Sequence, residues 1–285
     1  MSRPADLSAL AQCWTDALAA WAIPPHIVDA ATRDPWMLPV LCFSGRADRA
    51  VNDPAGVSFE RAAEALRENP GSVLDVGAGA GAASLPLAAW ATTITAVDGK
   101  APMLEAFAER AAAAGVDHRE VLGSWPAAAA DVVPHDVVVV HHVVYNVADI
   151  VPFLGALDAK AKRRVVLELP PHHPLSWMNP LWKQFHGVDR PVVPIAGDLV
   201  EILGAMDVAD LRTDYWQQFD PAAADGSDSE SLDERSALVA QRLCLSEARE
   251  PDVAAALTDI DPGYHRDVVT ISWTPGSASR NGTHR

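Results

Sequence analysis

The sequence predicts an α/β protein organised on a doubly wound, mostly parallel sheet, with a helical N-terminal cap and a helical insertion before the last strand. Three observations carry that prediction. Val73, Leu74 and Val76, and again residues 136–140, are short apolar runs without alternation, as in strands covered on both faces. Stretches rich in alanine and leucine, of helical length, alternate with these runs. Gly77, Gly79 and Gly81 directly follow the first run, where the backbone can bend sharply or approach a ligand with no Cβ in the way.

Residues 82–90 are expected to form a helix whose early turns Pro86 distorts. Strand, glycine turn and helix then make the first unit of a nucleotide-binding sheet, with its ligand at the helix N-terminus beyond the strand's carboxyl end. Gly77, Gly79 and Ala82 satisfy the dinucleotide spacing G-x-G-x-x-G/A, and Asp98 stands about where a ribose-binding acid would. A nicotinamide-dependent oxidoreductase is therefore one reading. Asp75, two residues before the first glycine, and Gly81, which continues the alternating series, favour another cofactor.

The run Val-Leu-Asp-Val-Gly-Ala-Gly-Ala-Gly at 73–81 resembles the signature of class I S-adenosylmethionine-dependent methyltransferases. Ile-Thr-Ala-Val-Asp at 94–98 resembles that family's second strand. The resemblance implies S-adenosylmethionine as cofactor, held by Asp75, Gly77, Ala78, Gly79 and Gly81 at the turn and by Asp98 and Gly99 beyond the second strand. Asp98 would accept hydrogen bonds from the two ribose hydroxyls. Capping the helix that begins near Pro102 is a second role open to it. The resemblance also implies a seven-stranded sheet whose last strand is antiparallel.

At 285 residues the chain can bury one substantial core, and one domain with elaborations is expected. Residues 1–69 read as a helical cap or lid, 70–275 as the Rossmann-like domain, and 276–285 as a disordered tail. The net charge of −16 argues against nucleic acid and anionic membrane surfaces as partners, and a small-molecule substrate is expected. Methylation of ribosomal RNA, known on this fold, is disfavoured on the same ground. Cys13, Cys42 and Cys244 are odd in number and far apart, which suggests reduced thiols and a cytoplasmic protein. Asp6 and Asp16 interrupt the apolar N-terminal stretch, so it does not read as a secretory signal, and no apolar run reaches membrane-spanning length.

Along the chain, residues 7–22 have helical spacing, with Leu7, Leu10, Trp14, Leu18 and Trp21 on one stripe. Asp34-Pro35 reads as the start of a second short helix, and the apolar residues 36–43 as a lid over the cofactor crevice or a helix on the sheet edge. Residues 58–68 read as a helix, 103–114 as another stopped by Gly115, and 118–122 as the third strand. After it the methyltransferase family places an acid near the adenine amino group. Ser124 stands there in this chain, with Trp125 next to it to stack on or cover the purine.

Residues 136–140 and 163–169 are the fourth and fifth strands, with a helix from about 148 to 159 between them that Asn146 and Asp149 are expected to cap. The family's strand order brings the ends of strands one, four and five to one crevice. His141, in the loop beneath the methionine part of the cofactor, is expected to contact it. His142, Glu168, His172 and His173 come within reach of the transferring methyl group. Residues 170–195 read as a substrate wall, with a helical face formed by Trp177, Met178, Leu181, Trp182, Phe185 and His186. Asp198 is expected to cap a helix through Met206, ahead of a sixth strand at 208–216. Residues 220–262 read as an acidic loop and helical insertion opened by a capping box at 231–234, and the last strand covers 267–274.

A methyl group on a positive sulfur is already activated, so the protein has mainly to align the acceptor and take its proton. His142 is the candidate base, with His172 or His173 behind it. A strand-end histidine that only holds the cofactor through its backbone is the competing reading. Adjacent side chains on extended backbone diverge, so neither histidine pair is a ready chelate and no metal is assigned. A non-catalytic module binding S-adenosylmethionine or S-adenosylhomocysteine would keep the same motif, and stays open beside the oxidoreductase.

Overall fold

A computed structural model describes residues 6–37, 40–219, 232–258 and 265–276. Helices α1 (Leu7–Ala19), α2 (Pro25–Val28), α3 (Val40–Asn52) and α4 (Val57–Glu64) precede the sheet. Then follow β1 (Gly71–Val76), β2 (Ala91–Asp98), α5 (Ala101–Ala114), β3 (His118–Leu122), β4 (His135–His141), α6 (Ile150–Lys160) and β5 (Ala161–Leu169). Helices α7 (Asn179–His186) and α8 (Ala196–Ala205), strand β6 (Ala209–Phe219), helices α9 (Leu232–Arg242) and α10 (Glu250–Leu257), and strand β7 (His265–Thr274) complete the order.

The strands form one seven-stranded sheet in the order β3-β2-β1-β4-β5-β7-β6, with β7 antiparallel to both neighbours and the other pairs parallel. The expected fold class is therefore the one observed. Side-chain alternation supplies the two faces. Leu74, Val76, Val138, Val140, Val165 and Leu167 pack with α1, α6 and α8 on one side. Val73, Val137, Val139 and Val166 pack with α4 and α5 on the other. A third cluster joins Ile23 and Ile27 to α7, α9 and α10. Because the chain leaves β1 and β4 toward opposite edges, the loops after them part and leave a crevice at the carboxyl ends of the strands.

Several local expectations need correction. Residues 82–90 form no α-helix but turns around one 3-10 segment, Leu85–Leu87. Pro86 has no N–H to give, and Gly81 at φ +95 leaves the helical region just before it. Asp34-Pro35 opens no helix. Asp34 Oδ1 accepts from Trp36 N at 2.8 Å, a turn closed by the side chain, and α3 begins only at Val40. Asp149 stands at the α6 N-cap without a side-chain hydrogen bond, and Asn146 Nδ2 donates to the Val143 carbonyl instead. Helix α9 ends at Arg242 rather than near 247, where Cys244 takes φ +57. In the substrate-wall segment Met178, Leu181 and Trp182 are buried but Trp177 is exposed, because a 3-10 turn (Ser176–Met178) offsets it from the α7 stripe. Asp198, at the third position of α8, accepts from Ile195 N at 2.8 Å as a cap should.

The acidic residues 220–229, Ser231 of the capping box and residues 277–285 lie outside the described residues. Among the described residues, no helix is long and apolar enough to cross a membrane.

Helix α1 is anchored through Trp14, which is fully buried and donates from Nε1 to the Val147 carbonyl at 2.8 Å. Replacing Trp14 with Phe keeps a ring but leaves that carbonyl unpaired. Urea unfolding should show a loss of about 1–3 kcal/mol.

Candidate functional site

The crevice is a cleft of about 380 Å³ at the carboxyl ends of β1, β2 and β4. Its floor is the glycine turn. Gly77 takes φ +72, and a Cβ there would stand 2.4 Å from Val143 Cγ2, so only glycine lets the turn lie against the loop after β4. Gly79 takes φ +53 and its missing side chain would face open cleft, the nearest atom being Phe43 Cδ1 at 3.7 Å. Ala78 and Gly99 line the cleft with it. Gly81 lies behind the turn: a Cβ there would meet Leu85 at 2.5 Å and Phe107 at 2.8 Å. Its role is close approach of the backbone to the core, and it does not line the cleft.

Asp98, at the end of β2, lines the cleft and braces its floor. Oδ2 accepts from Gly79 N at 2.9 Å and Oδ1 from Lys100 N at 2.9 Å. Helix α5 itself starts at Ala101 without a side-chain cap, so Asp98 does not cap it. Ser124 and Trp125 form the wall after β3. Trp125 is half-buried against the core, and its indole N–H donates to the Phe153 carbonyl. The roof comes from α3, whose Phe43 and Arg46 line the cleft. Asp48 ties α3 to Arg110 of α5 through two hydrogen bonds of 2.7 and 3.0 Å. The segment before α3 is held by Gln241 Nε2 on the Asp34 carbonyl and Arg242 Nη1 on the Pro35 carbonyl. Helix α1 packs on the sheet, and Phe43 and Arg46 of α3 lie over the crevice.

Asp75 does not reach the cleft. It is fully buried beneath the turn and accepts from Ser84 Oγ at 2.6 Å, while Oδ1 has no partner. The far wall carries the histidines. His141 Nδ1 lies 3.8 Å from Glu168 Oε1, and its Nε2 is buried without a partner at the cleft. Burial lowers the pKa of the His141 imidazole and keeps it neutral at pH 7. His142 sits in the left-handed region at φ +60, a conformation unusual for a non-glycine residue. Its backbone N–H donates to the Glu168 carbonyl at 2.7 Å, and its Nε2 lies 3.2 Å from Glu168 Oε1. Burial works to raise the Glu168 carboxyl, but the His141 and His142 imidazoles and the Ser58 hydroxyl hold it down to about 2. His142 Nε2, at 3.2 Å, is the nearer of the two imidazoles to the carboxylate.

His172 and His173 are not brought to this wall. His172 is exposed, outside the lining of the cleft, its backbone bridging to Ile195. His173 is buried, stacked on Trp21 with ring centroids 3.8 Å apart, and burial together with Arg190 lowers its pKa to about 4. The divergence of successive side chains on extended backbone separates the pair. Arg46, Met103 and Val143 line the cleft without having been singled out in the sequence, since none belongs to a recognisable motif.

A glycine turn braced by the acid at the end of the neighbouring strand, on a sheet of this order, is the arrangement that the resemblance to class I S-adenosylmethionine-dependent methyltransferases implies. Residues 73–159 match the family model described as a methyltransferase domain. The chain is also 29% identical over 183 residues to a ubiquinone biosynthesis O-methyltransferase of Caulobacter sp. (strain K31), a match covering 56% of this chain and 71% of that one. Among solved structures, coclaurine N-methyltransferase bound to N-methylheliamine and S-adenosylhomocysteine superposes with a TM-score of 0.49 at 12% identity, covering 95% of this chain and 89% of that one. Magnesium protoporphyrin IX methyltransferase from Synechocystis PCC 6803 gives 0.45 at 15% identity, covering 93% and 99%. Both are too distant to add to what the strand order already shows. The nicotinamide reading of the same glycines gives way.

Burial pushes the Asp75 carboxyl up to about 7, with Asp98 adding to the rise and Ser84 opposing it. In the unfolded chain the group ionises near pH 4. Between about pH 4 and about pH 7 the folded protein therefore holds a proton that the unfolded chain has released, and stability falls as pH rises through that window. Asp75→Asn keeps an acceptor for Ser84 and cannot ionise. It should remove a dependence of about 2.6 kcal/mol between about pH 5 and about pH 8, measurable by comparing urea midpoints at the two values.

Proposed function

We propose that the protein transfers the methyl group of S-adenosylmethionine to an oxygen or nitrogen atom of a small molecule, with His142 taking the acceptor's proton. The observation that carries this reading is the position of His142. It stands on the cleft wall with its Nε2 against a buried, ionised Glu168 and its side chain still 35% exposed. Nε2–H then donates to the carboxylate, and Nδ1 is the nitrogen left to accept a proton.

The cleft suits the cofactor. Gly77, Ala78 and Gly79 line it at the turn, with open space where a Gly79 side chain would stand, Asp98 and Gly99 face the ribose side, and Ser124 and Trp125 the purine side. Asp75 and Gly81 support the turn from behind. The unpartnered His141 Nε2 is a buried polar atom at the methionine side, open to a partner the ligand would supply. S-Adenosylmethionine brings a methyl group already activated on a positive sulfur. The chain's part is to align the acceptor under the α3 roof, keep out water and move one proton to His142. As the proton arrives, Glu168 stabilises the imidazolium it creates.

An oxygen acceptor is favoured by the curated relative, which is an O-methyltransferase. The net charge of −16 weighs against RNA as acceptor and for a small molecule. His172, exposed and off the cleft, is not carried forward as a base.

Two substitutions test this reading from different sides. His142→Ala should lower kcat about 10²–10⁴-fold on a phenolic or amine acceptor while calorimetry shows unchanged cofactor affinity. Asp98→Ala should do the reverse, weakening cofactor binding by about 1.5–3 kcal/mol as charge-assisted hydrogen bonds are lost. Full turnover by the His142 variant would remove the base assignment.

A further inference from the structure

The loop that carries His142 is tied down at points the methyl-transfer reading does not use. Its first tie is the His142 backbone N–H, which donates to the Glu168 carbonyl at 2.7 Å. Three residues on, in the 3-10 turn Val144–Asn146, the Tyr145 hydroxyl donates to the Pro170 carbonyl at 3.0 Å. The Pro171 carbonyl lies 3.3 Å from the same hydroxyl but already accepts from Ala196 N at 2.9 Å. At the far end of the loop Trp14 Nε1 of α1 donates to the Val147 carbonyl at 2.8 Å. The Tyr145 ring is buried, stacked on Trp14 with centroids 5.8 Å apart and tilted 65° against His173 at 5.5 Å.

The first two bonds both cross from the loop after β4 to the end of β5, one from His142 to Glu168 and one from Tyr145 to Pro170. A single bond would leave the loop free to pivot about it, and a second bond a turn away stops that pivot. What the two hold in register is the side-chain pair His142 Nε2 and Glu168 Oε1, 3.2 Å apart. His142 has particular need of such fixing. A non-glycine residue keeps a φ of +60 only where its surroundings over-determine it. Burial raises the Tyr145 phenol above its already high pKa, so its hydroxyl stays protonated and able to donate.

We propose that Tyr145 is a positioning residue: its hydroxyl, anchored on the Pro170 carbonyl with Trp14 stacked on the ring, locks the loop after β4 to β5 so that His142 keeps Nε2 on Glu168 and turns Nδ1 to the acceptor. This deepens the reading of His142 as base and rests on it. Tyr145 acts from the core, outside the lining of the cleft.

Tyr145→Phe removes the hydroxyl and keeps the ring. It should lower kcat about 10–10²-fold, as misplacing a catalytic group does, while calorimetry shows unchanged affinity for S-adenosylhomocysteine. On a His142→Ala background the same substitution should cost nothing further, because the group it places is already gone. The ring ¹⁵N signals of His142 should be followed at alkaline pH in full-length protein saturated with S-adenosylhomocysteine. They should stand far apart in the unsubstituted protein, one nitrogen protonated and one bare, and converge in Tyr145→Phe as the two tautomers mix. Ring signals of His142 left unchanged by Tyr145→Phe would overturn the proposal, and so would a fall in kcat repeated in full on the His142→Ala background. If Tyr145→Phe fails to fold, Trp14→Phe, which frees the other end of the loop, is read on the same signals. Signals that converge while His142→Ala retains full activity would leave Tyr145 placing the ring and remove the base it serves, so the two failures are distinct.

Discussion

A charge taken out of water persists only where donors surround it, and Glu168 is the point at which this protein meets that demand. Its carboxylate lies at the carboxyl end of a central strand, nine-tenths buried. His141 and His142, at the end of β4 and in the loop after it, bring their imidazoles to 3.8 and 3.2 Å from it. The need to satisfy one anion therefore shapes the wall of the cleft, where His142 stands with its backbone in an unusual conformation.

The opposite wall is organised by a second carboxylate under a different rule. Asp98 keeps partial contact with solvent and divides its oxygens between Gly79 N–H and Lys100 N–H, holding the glycine turn open. Asp75 below it is buried with one oxygen unpaired, and is held near neutrality by burial. Glu168 and Asp75, two carboxyls of similar intrinsic strength, are thus moved in opposite directions, down and up, by neighbouring donors and by burial rather than by residue type.

The sequence made the sheet readable because parallel strands buried on both faces carry unbroken apolar runs. β1, β2, β3, β4 and β5 all lie within a few residues of where hydrophobicity and turn residues placed them. The floor of the cleft was equally readable, since Gly77 and Gly79 take positive φ and Asp98 sits at the strand end. The helix expected after the turn was not, because Pro86 and the φ of Gly81 together defeat a composition that otherwise favours helix. Single-residue geometry decided it where a window average could not. The buried hydrogen bonds joining Ser58, Thr270 and Trp216 were invisible for another reason. Serine, threonine and tryptophan at those spacings are ordinary, and only the antiparallel register of β7 against β5 sets Thr270 opposite Glu168. His172 and His173 looked equivalent in sequence, yet one turns to solvent and the other stacks under Trp21.

The roof of the cleft has its own consequence. Helix α3 reaches over the glycine turn, but its tie to α5 is the Asp48–Arg110 pair, with Asp48 mostly exposed. A surface pair of that kind is worth at most about 1 kcal/mol and is weakened by salt. Salt therefore loosens this outer tie of the roof without touching Ala47, the α3 residue that is fully buried.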